Sequence, residues 1–141
     1  MIHPAGRQRK RTNEVSALNT GKEENFAEAL EIVESGYEFM LAYAAQGRES
    51  DQGVGGDPSV RHTLNDMNQA LDALRQTDVS KLGTPIRKVL TEDAEKAQAA
   101  IELVLAQPAI SSQLVDNLNA SIHVRALLTD LFLIDEALKS A

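Results

Sequence analysis

Residues 55–90 read GGDPSVRHTLNDMNQALDALRQTDVSKLGTPIRKVL, and two dipeptides in this stretch, Asp57-Pro58 and Thr84-Pro85, decide the class of fold. An Asp or Thr at the N-cap accepts a hydrogen bond from an orphan backbone N–H, and a Pro at the first helical position gives up a donor that would go unbonded anyway. Each dipeptide opens an amphipathic pattern. After the first, Val60, Leu64, Met67, Leu71 and Leu74 alternate steps of four and three, a narrow helical seam. After the second, Ile86, Val89, Leu90, Ala94, Ala97, Ile101, Val104 and Leu105 continue as far as Gln107-Pro108, where a proline should end or kink the helix. Asp78 to Gly83 is a short connection, with Val79 and Leu82 available to close the core from one end.

The same periodicity extends in both directions. Upstream, Phe26, Leu30, Val33, Tyr37, Met40, Leu41 and Ala44 predict a helix over about Glu23 to Gln46, with Glu23, Glu24 and Glu28 favoured by the dipole of its first turns and Gly47 as its stop. GRESDQGVGGDP (47–58) carries four glycines and reads as a flexible loop. Downstream, Ser111 or Ser112 is placed to cap a helix continuing to about Lys139. Val124, Leu127, Leu131, Ile134 and Leu138 form its seam, and Leu114, Leu118, Ile122 and Phe132 lie partly on a second. Four helices on mostly short connections predict an all-α protein: an up-down-up-down antiparallel four-helix bundle over residues 23–141. Residues 1–22, polar and without sustained periodicity, are expected to form a flexible basic N-terminal arm.

Composition narrows the chemistry. The 141 residues suit one domain and include no Cys, which excludes disulfides, thiolate metal sites and thiol catalysis and removes any need for an oxidising compartment. No run approaches the roughly 18–20 apolar residues that span a bilayer. The basic start MIHPAGRQRKR is not followed by an apolar stretch, so a cytoplasmic location with no membrane partner is expected. The net charge of −7 is divided unevenly. Arg7, Arg9, Lys10, Arg11 and Lys22 against Glu14 give residues 1–22 a net +4, which leaves −11 for the remainder. A body this acidic repels phosphates, so nucleic acid could be held only through the arm, weakly and without sequence reading. An aromatic content of 4% is also low for a protein that stacks bases.

A helix in a bundle needs an apolar stripe over roughly a third of its circumference. The first and last helices exceed that need, through Ile32, Phe39 and Tyr43 on one and Leu128, Phe132 and Leu133 on the other. Each such side chain left in water forgoes about 1.5–3 kcal/mol, so a homodimer is expected, with Tyr37, Phe39, Met40, Tyr43, Leu128, Phe132 and Leu133 as interface anchors.

No catalytic pattern competes with this reading. A ferritin-like carboxylate centre needs Glu-x-x-His on two helices, and none of His3, His62 and His123 has a Glu three residues before it. His62 reads as a surface residue and His123 as a partly buried structural or interface residue. Asp130 is expected to point to solvent; if buried, it would need a partner, such as Arg125 or an inter-subunit Arg or Lys, or would stay protonated. Asn65, Asn68, Asn117 and Asn119 have the same choice between exposure and an inter-helix polar layer. Gly53-Val54-Gly55-Gly56 precedes a helix but lacks a Gly-Lys-Ser/Thr ending, and the negative Asp57 occupies the place an anion would take. The expectation is a small interaction module, an accessory, adaptor or regulatory protein that is not an enzyme and holds no cofactor or metal, with a protein partner that the sequence does not name. The alternatives are a nucleic-acid-associated protein using Arg7, Arg9, Lys10 and Arg11, and a bundle enclosing a metal or small ligand between its helices.

Overall fold

The computed structural model describes the backbone of residues 7–140 and the side chains of residues 25–140. Within them the protein is all-helical, with no strand. The helices are α1 (Arg7–Ala44), α2 (Ser59–Arg75), α3 (Thr84–Leu105), α4 (Ser112–Ala120) and α5 (His123–Ser140), with a 3₁₀ turn at Ser80–Leu82 between α2 and α3. The α1 backbone is helical from Arg7, ahead of the start expected near Glu23. The side chains of Arg7, Arg9, Lys10 and Arg11 lie outside the described residues, as do residues 1–6 of the expected arm. No described helix is long and apolar enough to cross a membrane.

The start signals work, with their roles shifted by a residue. At α2, Pro58 holds the cap position and Asp57 stands just outside it, its Oδ1 accepting from the Ser59 N–H at 3.1 Å and from the Ser59 hydroxyl. At α3, Gly83 takes the cap position with φ +97°, and Thr84 is already helical and makes no capping bond, contrary to expectation. Ser111 caps α4 as expected, accepting from the Leu114 N–H at 3.0 Å.

The fourth helix was expected to be continuous from Ser111 or Ser112 to Lys139. It is two. Ile122 sits between α4 and α5 at φ +63°, in the left-handed region that disfavours β-branched residues. The break is well bonded: Ser121 N–H reaches Asn117 O at 3.0 Å, Ile122 N–H reaches Asn119 O at 3.2 Å, and Ile122 O accepts from Ala126 N–H at 2.8 Å to begin α5. Left-handed backbone costs roughly 1–2 kcal/mol for such a residue, while Gly adds about 0.5–1 kcal/mol of unfolded-state entropy. Because the Ile122 side chain is half exposed, little burial is lost on removing it. Ile122→Gly is therefore expected to stabilise the protein by about 0.5–1 kcal/mol. A urea melt showing a loss instead would mean that the side chain contributes more than its backbone strain removes.

Packing follows the seams. α1 lies against α2, α2 against α3, α3 against α5, and α5 returns to α1, while α4 sits mainly on α1. Leu64, Leu71, Leu74, Leu90, Ile101 and Leu127 are among the fully buried side chains of one continuous core. Gly36 marks the closest α1–α2 approach: a Cβ there would stand 2.4 Å from Met67 Cγ and Sδ, so a larger residue would force the buried Met67 side chain to repack or the helices to shift.

Candidate functional site

The seven expected interface anchors separate into three groups. Met40 and Tyr43 are fully buried and Leu128 nearly so; these three are core, and their assignment to an interface is corrected. The reason is the end of the subunit: α4, folding as a separate short helix onto α1, covers the side of α1 that four straight rods would have left bare. Tyr37 and Phe39 are half-buried against the core, and Phe39 stacks on Tyr43 with ring centroids 6.1 Å apart. Phe132 (44% exposed) and Leu133 (64%) do face water, joined by Ile32 (43%) and Leu41 (48%) on α1. Ile32 and Phe39, seven residues apart and so on one side of α1, floor with Gly36 an open groove of about 320 Å³ between α1 and α2, rimmed by Glu31, Thr63 and Asp66.

The second feature is polar and went unread in the sequence. The Gly-rich segment was expected to be a flexible connector, but its Asp51 is 2% exposed and ties three elements together. Asp51 Oδ1 accepts from the Ile110 N–H at 2.8 Å, and Oδ2 accepts from Arg61 Nε at 3.0 Å. Arg61 spends its remaining fork on the end of α3, donating to Leu105 O at 2.8 Å and Gln107 O at 3.1 Å, carbonyls the helix itself leaves without partners. Around this pair, Tyr43 donates its hydroxyl to Ile110 O at 2.7 Å, and Ser112 donates to Tyr43 O at 2.7 Å. Ser112 also accepts from the Arg48 N–H at 2.8 Å. Gly56 is required here, since a Cβ would stand 2.6 Å from the Asp51 carbonyl carbon. Burial would raise the Asp51 carboxyl, but the Ile110 N–H and the Arg61 guanidinium outweigh it and hold the group below its ordinary value. Burial, with the Asp51 charge beside it, raises the Tyr43 phenol.

The third feature corrects the expectation for Asp130. Its carboxyl does not point freely to solvent; it is half-buried at the α3–α5 contact, and its partner there is Asp93 rather than Arg125. Burial first, and then the Asp93 carboxyl, push Asp130 up to about 7.

His62 is exposed beside Asp66 at 3.7 Å, and among the described residues no three of His, Asp and Glu come together in a group that could hold a metal ion. Two of the four asparagines join helices: Asn119 Nδ2 donates to Met40 O at 3.3 Å, and Asn68 Nδ2 to Glu102 Oε2 at 3.2 Å. Gln98, almost fully buried, links α3 to α2 by donating to Asp72 and Asn68 and accepting from Arg75 at 2.9 Å. These polar groups link the helices, although Asn68 Oδ1 and Asn119 Oδ1 are buried without a hydrogen-bond partner, and the large apolar side chains left exposed on the helices are Ile32 and Leu41 on α1, Val89 and Leu103 on α3, and Phe132 and Leu133 on α5. Compared with protein-family models, with curated proteins and with solved structures, the chain matches none of them.

Proposed function

We propose that this protein is a small cytoplasmic interaction module, a homodimeric accessory or regulatory subunit that works by recognition and does no chemistry of its own. In this reading α1, α2, α3 and α5 act as the four rods of an antiparallel bundle, with α4 as an end piece. The observation that carries the reading is the exposure of the adjacent large apolar side chains Phe132 (44%) and Leu133 (64%) on α5, which the core leaves uncovered. The occupant of that surface is a second copy of the chain. Two subunits of charge −7 repel one another, so their apolar contact should tighten as salt screens the repulsion. A basic arm bound to an acidic neighbour, or to nucleic acid, would weaken under the same change.

The test is sedimentation equilibrium of the wild type and of the Phe132→Glu/Leu133→Glu double variant across a salt series. Both positions are exposed, so folding should survive the change, as circular dichroism would verify. The wild type should sediment at twice the 15.3 kDa subunit mass, more firmly with added salt, and the variant at the subunit mass. A wild type that stays at 15.3 kDa at micromolar concentration removes the proposal.

A further inference from the structure

We propose that Asp93 of α3 and Asp130 of α5 form a proton-sharing clasp between their helices, closed while the pair holds one proton and loosened when that proton leaves. The geometry carries the argument. Asp130 Oδ2 is sealed from solvent and has no hydrogen-bond donor from the protein. The group facing it across the helix contact is a second carboxyl, which offers only acceptors when ionised. Two ionised carboxylates cannot share such a place, whereas one carboxylic acid and one carboxylate make a charge-assisted O–H···O bond that satisfies both.

The surroundings supply no cation to replace the proton. Along α5, the residues one and two turns from Asp130 on its own side are His123, Ala126, Leu127, Leu133, Ile134 and Ala137, of which only His123 can titrate. On α3 the equivalent neighbours of Asp93 are apolar except Lys96, which is exposed. Neither His123 nor Lys96 is ion-paired with the two aspartates, and among the described residues α1 and α4 bring no charge that acts on Asp130. Burial and Asp93 together raise the Asp130 carboxyl to about 7, against an ordinary value of 3.8.

The sign of the effect follows. The unfolded chain releases this proton near 3.8 and the folded chain keeps it to about 7, so between those values the folded state binds one more proton. Stability from the clasp is complete below the lower value, declines as pH rises through the window, and is level above it. The α3–α5 joint thus loosens across neutrality, the range in which an ordinary carboxylate is already fully ionised and insensitive.

The test pairs carboxyl carbon NMR with thermal melts on the wild type, Asp130→Asn and Asp93→Asn. In the wild type, one aspartate carboxyl should titrate at about 7, and the melting temperature should fall by several degrees between about pH 5 and about pH 8. Asp130→Asn keeps the hydrogen bond without the titration, so its melting temperature should be flat across that range and lie above the wild type at the alkaline end. In Asp93→Asn the new amide donates to Asp130 and should return its titration toward the ordinary carboxylate range. The proposal fails if every wild-type aspartate titrates near 4, or if Asp130→Asn keeps the same downward slope as the wild type.

Discussion

Arg61→Ala is expected to destabilise the fold by about 3 kcal/mol, a drop in melting temperature of about 10 °C. The effect is large because the substitution strands several groups at once. Asp51, 2% exposed, is left with a charge met only by backbone N–H groups, those of Ile110 and of Asp51 itself, and the Leu105 and Gln107 carbonyls lose the donors that ended α3. Removing one partner of a buried pair typically costs about 3–5 kcal/mol, and the lower end applies because the Arg61 side chain keeps 29% of its surface in water. Arg61→Lys should recover less than half of the loss, since an ammonium cannot reach Asp51, Leu105 and Gln107 together as the planar fork does. Urea unfolding followed by circular dichroism measures both variants. A loss below about 1 kcal/mol for the alanine would show that the knot holds without its arginine.

The same knot gives the protein an acid limit of opposite sign to the clasp. Asp51 is held below its ordinary value of 3.8, so its contribution is complete above that value and is lost as pH falls through the lower, folded-state value. Acid thus opens the loop end of the subunit, while the α3–α5 joint is at its tightest there. The two windows do not overlap, and in Arg61→Ala the acid limb should begin at higher pH because the Asp51 carboxyl has lost its main cationic partner.

The helical elements were legible because they rest on period and punctuation, both local. The α2 seam from Val60 to Leu74 is buried as its spacing implied, Pro108 follows the end of α3, and Ser111 caps α4. The break at Ile122 was not legible. The residues around it, Asn119-Ala-Ser-Ile-His123, contain no Gly or Pro, and the left-handed position is filled by the residue type least suited to it. The polar knot escaped for a different reason. Asp51 and Arg61 sit ten residues apart in a loop and a first helical turn of ordinary composition. What gives them meaning is Ile110, brought beside them only when α3 and α4 fold back. The clasp is likewise a property of the fold: Asp93 and Asp130 lie on helices separated by α4, and no spacing rule pairs them. Separating core from surface on α1 failed where the extra short helix supplied cover the sequence did not announce, and Tyr43 is the residue on which that matters most.

Tyr43→Ala should remove about 3–5 kcal/mol of folding stability while leaving the self-association of whatever remains folded unchanged. The ring is fully buried, stacks on Phe39, has the Arg48 guanidinium 6.0 Å from its centre, and spends its hydroxyl on Ile110 O. Truncation therefore opens a cavity beside the Asp51–Arg61 knot and orphans a buried carbonyl in one step. Tyr43→Phe separates these contributions: it keeps the ring and the stacking, and should cost only about 1–2 kcal/mol for the lost hydroxyl. An interface anchor would behave in the reverse manner, since a side chain that matters only between subunits can be cut back with little effect on subunit folding and a large effect on association. Comparing urea midpoints with sedimentation for the two variants distinguishes the roles. If Tyr43→Ala folded as stably as the wild type and sedimented as a monomer, the ring would belong to the contact between copies, and the packing of α4 over α1 would have to be given up with it.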